Sequence, residues 1–274
     1  MLKELFDLRG KTALVTGSSR GIGRGIALGL AEYGAHMVLH GSRESEALHE
    51  AQSLIGEFDP SVETWIADLG DPGAVETMPK AIDVLVANVS IQERMAWHEF
   101  DINEARREME VNWHSTLRMF QIAYPHMKAN GWGRLIVVGS VQERRPHPMM
   151  VAYAATKGAL ENMVRNIARQ VASEGITVNN LCPGVFATDR NKEALDNPEY
   201  AKKVLAATPI RGLMLNGHVL NAPDLVREIE VTGLLRSDGA NLLRWVDGTI
   251  HGITDAMLDK PTDRPLGEMT LLFR

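Results

Sequence analysis

Two hydrophobic periods alternate along the first two thirds of the chain. Short runs that are apolar on both faces, TALVT (12–16), HMVLH (36–40), VETWI (62–66), DVLVAN (83–88), RLIVVGS (134–140) and ITVNNL (176–181), read as buried strands. Longer stretches with helical spacing separate them. Over 102–128 the apolar positions are Ile102, Ala105, Met109, Trp113, Thr116, Phe120, Ala123 and Met127. Their steps of three and four put one face of a helix into a core. A first helix is predicted over GIGRGIALGLAEYG, stopping at Gly34, and another over about 151–173, stopping at Gly175. Strand–helix alternation predicts right-handed crossovers and a doubly wound parallel α/β sheet in a single domain spanning 1–274. The pattern breaks at 186–221, whose polar start and irregular course predict a loop insertion that covers a site.

Composition narrows the classes of function. The chain has 274 residues and a formal net charge of -6, so neither nucleic acid nor an anionic membrane surface is an expected partner. Its one cysteine, Cys182, excludes an internal disulfide framework and fits a reducing, cytoplasmic compartment. MLKELFDLRGK has no apolar core of signal-peptide length, and no window reaches the roughly 18 apolar residues of a membrane span. The histidines have no metal-ligand spacing with the lone cysteine, so no metal site is expected.

The first strand runs into TGSSRGIGRG, placing Gly17, Gly21 and Gly23 between a strand and a helix. Glycine there permits a tight turn and close approach of backbone to ligand. The helix N-terminus then offers N–H groups and a positive dipole end to a pyrophosphate, which points to a dinucleotide.

The spacing Gly-x3-Gly-x-Gly, together with Asp68–Leu69, VAN (86–88), Asn112, Ser140, Tyr153, Lys157 and Pro183–Gly184 in that order, resembles the short-chain dehydrogenase/reductase family. The resemblance covers about residues 6–190. It implies a Rossmann-type sheet of about seven strands and a hydride-transferring oxidoreductase. It also implies cofactor contacts from Gly17, Ser19, Arg20, Gly21, Ile22, Gly23, Ser42, Arg43, Asp68, Leu69, Asn88, Tyr153, Lys157, Pro183, Gly184, Val185 and Thr188. Where NAD-dependent members carry an acid after the second strand this chain has Gly41, followed by Ser42 and Arg43, with Arg20 in the glycine loop. A neutral floor with guanidinium partners suits a 2′-phosphate, so NADP(H) is expected over NAD(H).

Tyr153 and Lys157 are four residues apart on the predicted helix and share a face. A free phenol titrates near pH 10, but a neighbouring ammonium and an oxidised nicotinamide favour the phenolate and fit it for acid–base work. Ser140, at the end of a strand, can donate to a carbonyl oxygen as charge builds there. The resemblance assigns Asn112 to a helix distortion whose bound water links the lysine to solvent. Tyr153, Ser140, Lys157 and Asn112 are therefore the expected catalytic set.

Some features depart from the family. ANVS (87–90) replaces the common NNAG, and the C-terminal element RWVDGTIHG (244–252), resembling the family's last strand, leads into a divergent tail at about 250–274. The family resemblance implies a homo-oligomer, a tetramer or dimer. Gln142, His147, Met149, Met150, Val185 and Phe186 are expected to line the substrate pocket. Two positions that carry basic residues in carrier-dependent 3-oxoacyl reductases are Gly131 and Glu174, so a small ketone, sugar or polyol stands beside a 3-oxoacyl group as substrate. A catalytically silent dinucleotide sensor or scaffold, and an epimerase or dehydratase sharing the Tyr/Lys pair, remain open alternatives.

Overall fold

A computed structural model describes residues 6–186, 188, 191, 195–207, 243–246 and 249–252. The chain divides into two compact units, one built on 3–184 and the other on 185–216 and 220–274. Much of the predicted insertion at 186–221, and nearly all of the tail, lies outside the described residues.

In the first unit all six predicted strands form: β1 (Thr12–Val15), β2 (His36–Gly41), β3 (Glu63–Ile66), β4 (Val84–Ala87), β5 (Gly133–Val138) and β6 (Ile176–Leu181). They pair in parallel in the order β3-β2-β1-β4-β5-β6. The order reverses between β1 and β4, and ligands in such sheets bind outside the carboxyl ends of the strands at this switch point.

Side-chain alternation divides the core in two. Leu14, Leu85, Leu135 and Val137 point to one face, with Met119, Phe120, Ala123, Leu160 and Val164. Ala13, Val15, Val84, Val86 and Val138 point to the other, with Ala27, Leu28, Ala31, Leu48 and Ile55. The helices covering the faces are α1 (Gly21–Glu32), α2 (Glu46–Gly56), the short α3 (Pro72–Val75), α4 (Ile102–Met109), α5 (Ser115–Ala129) and α6 (Val151–Val171). Strands buried on both faces have no polar side, which is why they read as continuous apolar runs. Gly175, in the left-handed region at φ 75°, turns the chain from α6 into β6.

Two expectations are corrected. The helix predicted over 102–128 is not continuous: a π-turn, Glu110–His114, separates α4 from α5. The wider turn shifts the phase of the buried face. Beyond it Thr116, Phe120, Ala123 and Met127 are buried as predicted, but before it Ile102 is 62% exposed and Glu108 is buried instead. Ser115 Oγ and Thr116 Oγ1 donate to the carbonyls of Val111 and Asn112, at 2.6 and 2.9 Å, within the widened turn. The C-terminal segment expected as a last strand forms a hairpin instead. Its strands β7 (Leu243–Val246) and β8 (Thr249–Gly252) pair with each other, antiparallel, in a two-stranded sheet. In the second unit α7 spans Pro198–Ala207.

Leu85, fully buried in a central strand, has no room to be lost without a cavity. Leu85→Ala is expected to lower the free energy of unfolding by about 3 kcal/mol, read by urea denaturation. A loss below about 1 kcal/mol would contradict the packing described.

Candidate active site

The carboxyl ends of the strands carry the predicted residues. At the end of β1 the chain turns through Gly17 (φ 65°) and Gly21 (φ 58°) into α1. Gly23 is required by contact: a Cβ there would lie 2.3 Å from Gly17 O and 2.6 Å from Asn88 Nδ2. Asn88, following β4, fixes this loop by donating from Nδ2 to Thr16 O (2.8 Å), while its own N–H donates to Thr16 Oγ1 (2.9 Å). Arg20 is the N-cap of α1 and makes no side-chain cap bond, so the first N–H groups of that helix have no side-chain cap. Ser19 and Ile22 are half-buried beside it.

β2 ends at Gly41, where a Cβ would come within 3.1 Å of Arg43 O and 3.2 Å of Leu48 Cδ2. Ser42 and Arg43 follow, both exposed. After β3, Asp68 is exposed and its Oδ1 accepts the Gly70 N–H (2.9 Å), a turn-forming contact, while Leu69 is buried. Pro183 and Gly184 follow β6. Val185, Phe186 and Thr188 belong to the second unit, where Thr188 N–H donates to Phe186 O (2.9 Å).

Around α6 the structure gathers three of the predicted catalytic residues. Tyr153, Lys157 and Asn112 are buried, at 6%, 2% and 0% exposure. Lys157 Nζ donates to Val138 O at 2.7 Å, at the end of β5, and lies 5.6 Å from the centre of the Tyr153 ring. Thr156, next to Lys157, donates through Oγ1 to Tyr153 O (2.8 Å) and accepts from Asn112 Nδ2 (3.0 Å). Asn112 also closes on the loop after β4, accepting Ile91 N–H (2.8 Å) and donating to Ile91 O (2.9 Å). Ser140 stands two residues beyond Val138 and caps a short 3-10 turn, Val141–Glu143.

The candidate pocket residues of the first unit form one folded loop after Ser140. Gln142 accepts His147 N–H (2.6 Å) and donates to Met150 Sδ (3.5 Å), and His147 Nδ1 accepts Met149 N–H (3.1 Å). Met150 is buried, whereas Met149 is 40% exposed and its carbonyl accepts Met95 N–H (2.9 Å) from the loop after β4. Among the described residues no cluster of three or more His, Cys, Asp or Glu side chains could hold a metal ion. No helix among them is long and apolar enough to cross a membrane.

Three residues near the site escape the sequence reading. His40, buried at the end of β2, accepts Gly17 N–H at Nδ1 (3.0 Å), and its Nε2 bonds Ala67 O (2.9 Å), which fixes the tautomer protonated at Nε2. Burial pushes its pKa down from 6.5 to about 4. Glu108, buried one turn before Asn112, accepts Glu93 N–H (2.6 Å), and burial raises its pKa. Glu143 bonds the Ser140 backbone. Only an acid or imidazole at an otherwise apolar position could have marked the first two, and neither has a sequence motif.

The sequence and the fold match known proteins. The family described as short chain dehydrogenase matches residues 11–199. This chain belongs to that family. It is an oxidoreductase acting on CH–OH groups, as the family's named relatives are. Gluconate 5-dehydrogenase of Gluconobacter oxydans (strain 621H) is 35% identical over 213 residues, covering 75% of this chain and 83% of the relative. A crystal structure of a 3-oxoacyl (acyl-carrier-protein) reductase from Agrobacterium tumefaciens C58 with NADP bound is 36% identical at a TM-score of 0.72, covering 78% of this chain and 86% of that one. A gluconate 5-dehydrogenase from Burkholderia cenocepacia J2315 in complex with NADP and tartrate is 32% identical at 0.72, covering 78% and 87%.

His40 supplies a pH test of the glycine loop. The folded chain keeps this imidazole neutral down to about pH 4, whereas in the unfolded chain it titrates near 6.5. Between these values the unfolded chain binds the extra proton, so stability falls as pH drops through the window, by an amount on the order of 3 kcal/mol. Urea unfolding at pH 7, 5.5 and 4.5 should show a shallower loss for His40→Gln than for the unsubstituted chain. Identical slopes would contradict the role given to this ring.

Proposed function

We propose that the protein interconverts a ketone and a secondary alcohol on a small polyhydroxylated acid, using NADP(H), with Tyr153 as general acid and base. One observation carries the reading: Tyr153, Lys157 and Asn112 are buried together, Asn112 and the Tyr153 main-chain carbonyl both bond Thr156, and Lys157 is fastened to β5 two residues before Ser140.

The residues present fit a dinucleotide. Gly17 and Gly21, both at positive φ, turn the chain tightly before α1, and the start of that helix has no side-chain cap. Gly17, Ser19, Arg20, Gly21, Ile22 and Gly23 would hold the pyrophosphate, Asp68 and Leu69 the adenine, and Asn88, Tyr153 and Lys157 the nicotinamide ribose, with Pro183 and Gly184 completing the set within this unit. At Gly41 the close backbone leaves little room for an acid, and the exposed Ser42 and Arg43 favour a 2′-phosphate.

When bound, the reduced nicotinamide supplies the hydride. Tyr153 gives its proton to the carbonyl oxygen, and Ser140 donates a hydrogen bond to that oxygen as negative charge builds. The Lys157 ammonium favours the resulting phenolate. Both amide hydrogens of Asn112 are used on Ile91 O and Thr156 Oγ1, so its part in returning the proton falls to its main-chain carbonyl in the π-turn. Alcohol oxidation runs the same path in reverse.

Glu174 argues against an acidic carrier as partner. This carboxylate takes hydrogen bonds from Lys128 Nζ and Tyr124 Oη, and these hold its pKa down. Paired with Lys128, Glu174 leaves no excess positive charge there for an acidic carrier, whereas two of the relatives named above act on gluconate. A homo-oligomer is also part of this proposal. An apolar groove of about 780 Å³ between α5 and α6, lined by Trp113, Leu117, Phe120, Tyr124, Met163 and Ile167, supports it.

Tyr153→Phe should cut NADPH-dependent reduction of 5-ketogluconate and similar ketoacids by at least about 100-fold while NADPH binding stays within about twofold. NADPH should outperform NADH, and Arg43→Ala should narrow that gap. Near-full activity in the phenylalanine variant would overturn the assignment of Tyr153. A strong preference for NADH would overturn that of the cofactor.

A further inference from the structure

Ser140 does not stand alone at the end of β5. Its N–H donates to Glu143 Oε1 (3.0 Å), its Oγ accepts Gln142 N–H (3.2 Å), and its carbonyl accepts Glu143 N–H (3.1 Å). The other oxygen of the same carboxyl reaches across to the end of β6. Glu143 Oε2 accepts Asn180 Nδ2 (2.9 Å) and the Cys182 thiol (3.1 Å). Gly139 makes room for this. A Cβ at 139 would lie 2.1 Å from Glu143 Oε1 and 2.4 Å from Asn180 Oδ1, so any larger residue would push the carboxyl out.

We infer that Glu143 is the positioning residue for Ser140, tying the serine's turn to β6 and aiming its hydroxyl. The chemistry follows from the lone pairs. Because Gln142 N–H occupies one lone pair of Ser140 Oγ, the hydroxyl hydrogen is left for another acceptor. Glu143 fixes the backbone from which that geometry hangs, and its second oxygen keeps the turn from rotating away from the sheet. Loss of the carboxyl would free the Ser140 N–H and cut the turn's tie to β6, while the backbone bonds of the turn and the glycine loop and Tyr153 stay in place. A donor displaced by a fraction of an ångström to an ångström stabilises a developing oxyanion far less well. This inference rests on the oxygen-stabilising part proposed above for Ser140.

Cys182 supplies an independent readout, since it is the chain's single cysteine. Its thiol is pushed up to about 12, first by burial, then by its hydrogen bond to Glu143 and by the charge there, with Glu161 adding a smaller push. Cys182 is exposed to reagent, and thiolate is the form that alkylates, so removing the hydrogen bond and charge of Glu143 should speed its reaction.

The experiment compares Glu143→Ala, Glu143→Gln and Ser140→Ala, each checked for folding by thermal melting. NADPH-dependent reduction of 5-ketogluconate and iodoacetamide alkylation at pH 9 are followed. Glu143→Ala should lower kcat by about tenfold to a hundredfold and leave the KM for NADPH within about twofold. Glu143→Gln, which keeps an acceptor for Ser140 N–H, should recover most of kcat. In both Glu143 variants Cys182 should alkylate at least about tenfold faster. A kcat within twofold of the unsubstituted chain for Glu143→Ala, with Ser140→Ala strongly impaired, would overturn the inference and leave the part of Ser140 standing. Full activity of Ser140→Ala would overturn both. Unchanged alkylation of folded Glu143→Gln would overturn the contact on which the inference is built, whatever the rates.

Discussion

A buried ammonium bonded to a strand end is the contact on which the site depends. Lys157 is 2% exposed and donates to Val138 O at 2.7 Å. A charge removed from water is tolerated only where acceptors meet it, so this bond dictates how α6 lies on β5. Tyr153 follows from it, one turn earlier on the same helix face, and so does Ser140, two residues beyond the end of the strand. Asn112 then ties α6 to the loop after β4 through Thr156 and Ile91. The residues proposed to act together are thus positioned by a handful of hydrogen bonds between three elements.

The cofactor side rests on a different constraint, close backbone contact. Gly23 exists because Gly17 O and Asn88 Nδ2 occupy the space of a Cβ, and Gly41 because the following loop folds back on it. His40 adds a polar strut, holding Gly17 N–H from the neighbouring strand as a neutral imidazole. The glycine loop is therefore preorganised by β2 and β4 as well as by its own sequence. Such fixed donors need little rearrangement when an anion arrives.

The strands were legible in the sequence because burial on both faces leaves uninterrupted apolar runs, as in ALV at 13–15 and VLVA at 84–87. The Tyr153/Lys157 pair and the glycine loop were legible as candidates because they are marked by short-range spacing. What was not legible depends on geometry between distant segments. The π-turn rotates Ile102 outward and Glu108 inward, and no period in the sequence marks one widened turn. His40 and Glu143 act through partners 23 and 37 residues away, which only the paired strands bring together. The last strand failed for a related reason: a run such as RWVDGTIHG can pair with itself as well as with a sheet, and Leu243–Val246 pairs with Thr249–Gly252.

The most direct test of the whole account is a crystal structure with NADP bound. The pyrophosphate should lie against the start of α1 at Gly21–Gly23, the 2′-phosphate beside Ser42 and Arg43, and the nicotinamide ribose within hydrogen-bond reach of Tyr153 and Lys157. A dinucleotide bound elsewhere, or one whose nicotinamide lies away from Tyr153, would contradict it.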